Sequence, residues 1–458
     1  MVPKNRLLAE RISRLRAAIR LKEHDKVPLV GNLGFWPVKY LNKYTMQEAF
    51  YNIDVMAESY EAVLARWSQW DALTTSVTSR APLLDAVGSR RYVIPGRQIS
   101  PYADYQHPDQ SFMEADEYDQ LIQNPAGFQA EVILPRVCAR ITKSSLYETI
   151  KAIAKVYTYT QQLQKKAGAY WESWAERYAI SPLMRNVFLV PVDLIIDSFR
   201  GFNKGLVDIK LRPAKIVEAS HALLDSLIHG GMAGLPAGQD FPVLYNPQHV
   251  SPFISPRDYD RVYWPFYKRM VDEFTGRGHT VWSVFEGVQD QHLERLQDLP
   301  AGKVVAHFEG TDLAKAKRYL SGKICIAGGM PNNILAKGTP EDVAEQVKAV
   351  MKLFADEPGF IMAADGGLNS AKPENIDAWM RALEQYGFLG GKLQVEEVAA
   401  DVSPAGDEMP LQKESLITPW EQVRNEFGEI KGDEEIIGRA WEELEYSALG
   451  LLGMILRA

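Results

Sequence analysis

The stretch VWSVFEG at residues 281–287 is an apolar run that ends in Phe-Glu-Gly, and VVAHFEG at residues 304–310 ends in the same three residues. Successive side chains of a strand point to opposite faces, so His307 and Glu309 share one face of their strand, and Glu286 ends the other strand. The strands of a parallel barrel place their C-terminal ends at one rim, where barrel enzymes hold their reactive groups. We therefore predict that two carboxyl groups and an imidazole meet at such a rim.

The sequence around this pair alternates short apolar runs with helical patterns, which is typical of an α/β domain. The predicted strands are residues 27–31, 71–77, 187–190, 280–286, 303–309, 323–327 and 360–364. Helix starts are marked by SPRD at 255–258, TPED at 339–342 and KPEN at 372–375, which combine a proline at the first helical position with early acidic residues. The pattern predicts a (β/α)8 TIM barrel with N-terminal cap helices and a C-terminal helical extension.

Two parts of different composition follow one another along the chain. Residues 1–395 are predicted to form the barrel with its cap, which begins with a basic amphipathic helix before residue 24. Residues 396–458 begin with a stretch rich in Asp, Glu, Pro, Ser and Gly and continue as a helical extension. We expect this extension to dock on the body of the protein or on a second subunit, the latter giving a homodimer.

Bulk composition excludes several classes of protein. The chain has 458 residues, 46% hydrophobic and 24% charged, with a net charge of −8 and no concentrated basic stripe, which argues against nucleic-acid binding. No apolar run reaches the length of a membrane span, and no signal peptide is recognisable at the N-terminus. Two cysteines, Cys138 and Cys325, exclude a disulfide framework and indicate a reducing cytoplasm.

The second half of the chain resembles the uroporphyrinogen decarboxylase superfamily. The matching motifs are SP at 255–256, YWP at 263–265, CIAGGMP at 325–331, GTPEDV at 338–343, GFIM at 359–362 and KPENI at 372–376. The resemblance implies a TIM barrel and one of two chemistries. The decarboxylase branch holds its porphyrinogen substrate with an arginine-rich segment after the first strand, whereas this chain has the apolar GNLGFWP at 31–37. Guanidinium groups are what a polycarboxylate substrate requires, so porphyrin decarboxylation is not expected.

The other branch contains methyltransferases that work with a corrinoid protein. Its thiol-methylating members carry a His-X-Cys zinc motif, where this chain has VFE at 284–286, and a later cysteine, where this chain has Asp365 or a neighbour. The resemblance is closer to the group that demethylates methoxylated aromatic compounds. It implies a methyltransferase that passes the methyl group to the Co(I) of cobalamin carried by a separate corrinoid protein. The chain itself has no Asp-X-His-X-X-Gly cobalamin motif.

Removal of a methyl group from an aryl ether needs a Lewis acid or a proton at the ether oxygen, because phenolate is a poor leaving group. The predicted catalytic residues are Glu286, His307 and Glu309. The predicted zinc ligands are Glu286, His307 and Cys325, because carboxylate, imidazole and thiolate are all zinc donors. The predicted substrate-binding residues are Phe35, Trp36 and Asp365.

Each of these residues also has a structural interpretation. His307 could be a core histidine, Glu309 could cap the helix that follows, Cys325 could be strand packing and Asp365 could shape a turn. For the whole protein, the alternatives are a decarboxylase of a small carboxylic acid on the same fold, or a non-catalytic barrel that serves as a binding or assembly subunit.

Overall fold

Nine parallel strands form one sheet at the centre of the protein. The computed structural model describes residues 4–74, 78–142, 144–235, 238–396, 420–424 and 434–457. The strands are β1 (Leu29–Gly31), β2 (Ala72–Leu73), β3 (Ser181–Pro182), β4 (Met184–Val187), β5 (Val243–Gln248), β6 (Val281–Phe285), β7 (Val304–Phe308), β8 (Cys325–Met330) and β9 (Phe360–Ala364).

The sheet closes on itself. Its hydrogen-bonded order is β3, β2, β1, β9, β8, β7, β6, β5, β4, so β3 and β4 are the two ends. These ends are separated in sequence only by Leu183, whose N–H donates to the carbonyl of Leu73 and whose carbonyl accepts from the N–H of Val243. The nine strands therefore act as eight, with β3 and β4 as one, and the predicted (β/α)8 TIM barrel is confirmed.

Helices surround the barrel and follow most of its strands. The longer ones are Lys4–Ile19, Ile53–Arg66, Leu146–Tyr178, Phe202–Leu211, Pro213–Met232, Trp264–Gly276, Leu313–Leu320, Pro340–Leu353, Pro373–Tyr386 and Glu434–Arg457. The shorter ones are Trp36–Leu41, Met46–Tyr51, Ala81–Val87, Tyr118–Gln123, Pro125–Phe128, Leu134–Val137, Pro191–Leu194, Pro256–Asp258, Leu293–Leu296, Asn332–Lys337 and Trp420–Val423. A 3-10 turn covers Ser251–Phe253, and wider π-helical turns cover Gln129–Ile133, Ile195–Arg200 and Tyr259–Tyr263.

The predicted helix starts have a local physical cause. Thr339 accepts a hydrogen bond from the backbone N–H of Asp342, and the Asp342 carboxylate accepts one from the N–H of Thr339 in return. This reciprocal cap satisfies amide groups that the first helical turn leaves without helical partners. Ser255 caps its own short helix by accepting a hydrogen bond from the N–H of Asp258, without the return bond.

The interior of the barrel is filled with buried apolar side chains. Acidic side chains therefore lie beyond the ends of the strands. On β6 and β7, Val281 to Phe285 and Val304 to Phe308 are all buried, as expected for strands covered on both faces. Trp282 pairs in register with Val305, and both belong to the interior cluster. The N-terminal helix Lys4–Ile19 adds Leu15 and its neighbours to the same cluster and so covers one end of the barrel.

Three barrel strands differ from the prediction made from the sequence. β5 was not predicted, because Pro247 interrupts its apolar pattern. The strand expected at 187–190 lies earlier, at β3 and β4, where alternating exposure and polar residues weaken the apolar pattern. The strand expected at 323–327 begins at Cys325 and continues to Met330. Its diglycine resembles a loop signal, but both glycines are buried in the strand.

The C-terminal helix Glu434–Arg457 contacts the helices Leu134–Val137 and Leu146–Tyr178 of the body. Its residue Ile455 is buried in the main core cluster. Of the predicted linker, residues 397–415 lie outside the described residues. In the part of the chain that the structure describes, no helix combines the length and the apolar character needed to cross a lipid bilayer.

Candidate active site

Five polar side chains meet at the C-terminal end of the barrel. His249 follows β5, Glu286 follows β6, Glu309 follows β7 and Asp365 follows β9, while Asp197 comes from the π-helical turn Ile195–Arg200. We call these five residues the rim cluster. The structure thus brings together three of the predicted site residues, Glu286, Glu309 and Asp365, and adds two that the sequence reasoning missed.

His249 lies at the centre of the rim cluster, between two carboxylates. Its Nδ1 is 2.5 Å from Oδ2 of Asp197, and its Nε2 is 3.2 Å from Oε1 of Glu286. Burial alone would lower the pKa of His249, but the hydrogen bonds and charges of Asp197 and Glu286 outweigh burial and raise it to about 11. His249 is therefore an imidazolium at neutral pH, held in a fixed orientation by both of its nitrogens.

The buried carboxyl group of Asp193 stabilises the backbone next to His249. Asp193 is fully buried, accepts a hydrogen bond of 2.6 Å from the Tyr263 hydroxyl and another of 3.0 Å from the N–H of Val250. Burial and the nearby charge of Asp197 raise the pKa of Asp193. Because Val250 follows His249 directly, Asp193 fixes the backbone that carries the imidazole. π-Helical turns such as the one that carries Asp197 are frequent at functional sites.

Glu309 and Asp365 retain protons near neutral pH. Burial, and next the charge of Glu286, raise the pKa of Glu309 to about 7, while His249 opposes this shift. Burial and the charge of Glu309 raise the pKa of Asp365 to about 8. Carboxyl groups poised near the working pH are typical proton donors and acceptors in catalysis. The alternative role of Glu309 as a helix cap is wrong, because Asp312 caps the next helix through the N–H groups of Ala314 and Lys315.

The raised pKa of Asp365 predicts a pH-dependent gain in stability for Asp365→Asn. The folded state holds the Asp365 proton up to about pH 8, whereas an unfolded aspartate releases its proton near pH 4, so wild-type stability falls as the pH rises through this window. We expect the variant to be more stable at pH 8 by about 1–2 kcal/mol, a value reduced for partial solvent screening. Below pH 4 the two proteins should unfold alike. Urea unfolding at pH 8 and pH 4 measures both free energies, and an equal difference at the two pH values would contradict the assignment.

His307 does not belong to the rim cluster. It is 2% exposed, its Nε2 lies 3.0 Å from the carbonyl of Ala364, and its Nδ1 accepts a hydrogen bond of 3.4 Å from the Trp282 indole. Burial lowers its pKa to about 4, so the ring is neutral at pH 7. Both nitrogens are engaged inside the barrel, which fits the structural interpretation rather than the predicted catalytic or metal-binding role.

We expect His307→Ala to act on stability rather than on chemistry. The change opens a cavity in the barrel and leaves the Trp282 indole N–H without its acceptor, which should cost about 2–4 kcal/mol. Thermal unfolding followed by circular dichroism measures this loss. Below its lowered melting temperature, the folded variant should keep the pH dependence of the wild type. A change in the pH dependence would instead assign His307 to the site.

The predicted zinc ligands are not brought together. Cys325 is the first residue of β8, pairs in register with Val305, and is fully buried near the opposite end of the barrel from the rim cluster. With Cys325 at that end and His307 engaged by Trp282 and Ala364, the set Glu286, His307 and Cys325 does not fit a zinc ion. Among the residues that the structure describes, no three His, Cys, Asp or Glu side chains are arranged as a metal site.

An aromatic wall adjoins the rim cluster and includes one of the two predicted aromatic residues. Phe35 and Phe50 contact the ring of Tyr105 with centroid distances of 5.8 and 5.2 Å, and Tyr105 contacts Tyr92, which in turn contacts His107 at 5.2 Å. His107 is close enough to His249 and Asp197 for their charges to affect its pKa. We call Phe35, Tyr92, Tyr105 and His107 the aromatic wall, whereas Phe50 is fully buried in a small core cluster.

Trp36, the second predicted aromatic residue, is a core residue. Its side chain is 2% exposed, its indole N–H donates to the carbonyl of Ala371 at 2.8 Å, and its ring stacks on Tyr40. Because the side chain is enclosed and its donor is engaged, the predicted role in substrate binding does not fit Trp36.

Comparison with known proteins shows a similarity that includes this rim. Residues 194–386 match the family model of uroporphyrinogen decarboxylase (URO-D). The match covers the second half of the barrel, and we call residues 194–386 the URO-D-like region. The region includes β5 to β9 and all five residues of the rim cluster, and the resemblance drawn from the sequence motifs is confirmed.

Most of the chain shares its fold with a solved protein. A methyltransferase from Methanosarcina mazei aligns with a TM-score of 0.53 at 15% sequence identity, over 81% of this chain and 98% of that one. At this identity the likeness concerns the fold, and its coverage is greater than that of residues 194–386 alone. No protein of curated function matches the chain.

The two rim residues that the sequence reasoning missed, His249 and Asp197, could have been found from local sequence patterns. His249 directly follows β5, so a correct prediction of that strand would have placed it at the rim. The segment PVDLIIDSFR at 191–200 sets two aspartates four residues apart in an apolar run. Buried carboxylates are rare unless they are paired or functional.

Proposed function

We propose that the protein is a methyltransferase that demethylates a methoxylated aromatic compound and passes the methyl group to the Co(I) of a separate corrinoid protein. The URO-D-like region and the fold shared with a methyltransferase support the general class. The observation that carries the proposal is the position of Glu309, a partly buried carboxyl group at the barrel rim whose pKa of about 7 leaves it protonated in about half of the molecules at neutral pH.

The reaction needs one proton and one pair of electrons. The methyl carbon loses its bond to the ether oxygen and gains a bond to cobalt, for which Co(I) supplies the electron pair and becomes formally Co(III). The bond pair left on the ether oxygen would form phenolate. Proton transfer from Glu309 to that oxygen gives the neutral phenol, which is a far better leaving group. Solvent then returns a proton to the Glu309 carboxylate.

The other rim residues tune and orient this proton donor. Burial raises the pKa of Glu309, Glu286 raises it further and His249 opposes the rise, so all three set the pH at which Glu309 is half protonated. Asp197 and Glu286 hold His249 in place, which keeps this electrostatic setting constant. Asp365 is a second protonated carboxyl group beside Glu309. The ring of the substrate would lie against the aromatic wall.

The corrinoid is a substrate in this proposal, delivered by a partner protein. Zinc would supply a Lewis acid to the ether oxygen, but the predicted ligand set does not fit it, so the proton route through Glu309 is the one proposed. The C-terminal opening of the barrel, above the rim cluster, is the side from which cobalt would approach the methyl group.

Methyl transfer can be tested directly. The purified protein is mixed with a reduced corrinoid protein and a panel of methoxyphenols, methoxybenzamides and methoxybenzoates, and methylcobalamin is followed in the visible spectrum. We expect stoichiometric methylation with at least one donor and release of the matching phenol. Absence of methylcobalamin across the panel, with a corrinoid protein that another methyltransferase methylates normally, would reject the proposal.

A further inference from the structure

The rim cluster contains more carboxyl groups than cations. It has four carboxyl groups and one imidazole, and that imidazole already lies between Asp197 and Glu286 at 2.5 and 3.2 Å. Among the described residues, no ion pair joins Glu309 or Asp365 to a cation, although the charge of His249 reaches Glu309. Burial, and next the charge of a neighbouring carboxylate, raise the pKa of each. An anionic ligand that enters this opening would therefore be repelled by the carboxylates.

The next basic side chains, Arg91, Arg80 and His107, lie beside Asp197 or the aromatic wall. Arg91 is 4% exposed, donates a hydrogen bond of 3.2 Å to the Ser198 carbonyl and lies in the field of Asp197. The pKa of His107 is lowered by burial and by the charge of Arg91, so the ring is neutral at pH 7. Among the described residues, the charges of Arg80 and Arg91 act on Tyr105 and His107, whereas the cation that acts on Glu309 is His249, which Asp197 and Glu286 already pair with.

Aromatic side chains lie next to the rim cluster and stay uncharged at working pH. Burial and the charges of Glu286 and Glu309 raise the pKa of Tyr245, so its hydroxyl stays protonated at all working pH values. The aromatic wall adds the rings of Tyr92 and Tyr105, which suit a flat apolar ring. An uncharged aromatic ligand meets favourable contacts on this surface without an electrostatic penalty.

We propose that the rim selects uncharged methoxylated aromatics, such as methoxyphenols and methoxybenzamides, and rejects methoxybenzoates. The inference rests on the proposed function, because it names the class of methyl donor for the same site. A benzoate within about 8 Å of one uncompensated carboxylate meets a repulsion that corresponds to at least tenfold weaker binding at an effective dielectric constant of about 20.

A pair of ligands with the same shape and different charge tests the selection. We would measure the binding of 4-methoxybenzamide and 4-methoxybenzoate to the full-length protein by isothermal titration calorimetry at pH 8, without any corrinoid protein. The amide should bind at least tenfold more tightly. The difference should shrink at pH 6, where Glu309 and Asp365 are protonated and the benzoate is still an anion. Equal binding, tighter binding of the benzoate, or binding of neither ligand overturns the inference.

A variant pair locates the effect. Glu309→Gln should reduce the preference for the amide at pH 8 several-fold. The control Glu384→Gln removes an exposed carboxylate near the end of helix Pro373–Tyr386. This helix end lies at the N-terminal side of the barrel, where Gly387 accepts a hydrogen bond from Val27, so the preference should not change. An unchanged preference in a folded Glu309→Gln protein would overturn the inference. Failure of the proposed function is distinguishable, because selective binding without methyl transfer would reject the activity and retain the charge selection.

Discussion

Glu309→Gln should lower the rate of demethylation by about 10²–10⁴-fold, the usual contribution of a positioned general acid. The amide has nearly the same shape as the protonated carboxyl group, so substrate binding and folding should change little. The loss should appear in kcat rather than in KM, because the proton is needed as the C–O bond breaks and not when the substrate binds. The measurement is the initial rate of methylcobalamin formation under saturating aromatic donor.

The pH dependence gives an independent measure of the same residue. Glu309 donates a proton only while it is protonated, so the wild-type rate should fall as the pH rises through about 7. Glu309→Gln should lack this fall, and Glu384→Gln should retain it. A fall near pH 7 that persists in Glu309→Gln would assign the proton to another group, such as Asp365, whose pKa is about 8.

The leaving group provides the sharpest control. A methyl ether of a nitrophenol releases a stabilised phenolate and needs less help from an acid than a methyl ether of phenol itself. The deficit of Glu309→Gln should therefore be much smaller for the nitrophenyl ether. A deficit of the same size for both ethers would indicate that Glu309 positions the substrate and does not donate a proton.

The sequence predicted the strands of the second half of the barrel well because they are buried on both faces. β6, β7 and β9 are continuous apolar runs, and a residue that ends such a run must lie at the rim. This reasoning placed Glu286, Glu309 and Asp365 correctly from the local pattern. It failed for β5, where Pro247 breaks the pattern, and so the rim position of His249 was lost with it.

The side-chain partners could not be predicted, since they depend on contacts between distant parts of the chain. His307 and Glu309 share one face of β7, yet the first is engaged by Trp282 and Ala364 inside the barrel and the second reaches the rim. One step of two residues along a strand is about 6.6 Å, enough to separate the closed interior from the opening. Cys325 lies farther still from the rim, because it is the first residue of β8, which ends at Met330.

His249→Gln should move the fall in rate to a higher pH and reduce the maximal rate. The imidazolium of His249 lowers the pKa of Glu309, so its removal lets the charge of Glu286 raise that pKa further. The glutamine cannot hold both carboxylates as a cation does, and Asp197 and Glu286 should move apart. Misplacement of this kind costs about 10²-fold in rate when it reaches the reacting groups.

Two measurements separate this electrostatic role from simple loss of structure. The first is the pH–rate profile of His249→Gln, in which the fall should lie above pH 7. The second is a carboxyl titration by ¹³C NMR without substrate, in which the Glu309 signal should titrate at a higher pH than in the wild type. Asp197→Asn is the matched variant, because it keeps the imidazole and removes one of its two partners. Its Glu309 should titrate close to the wild-type pH, since Glu286 still pairs with His249, and a Glu309 titration that is unaltered in His249→Gln would contradict the role assigned to the imidazolium.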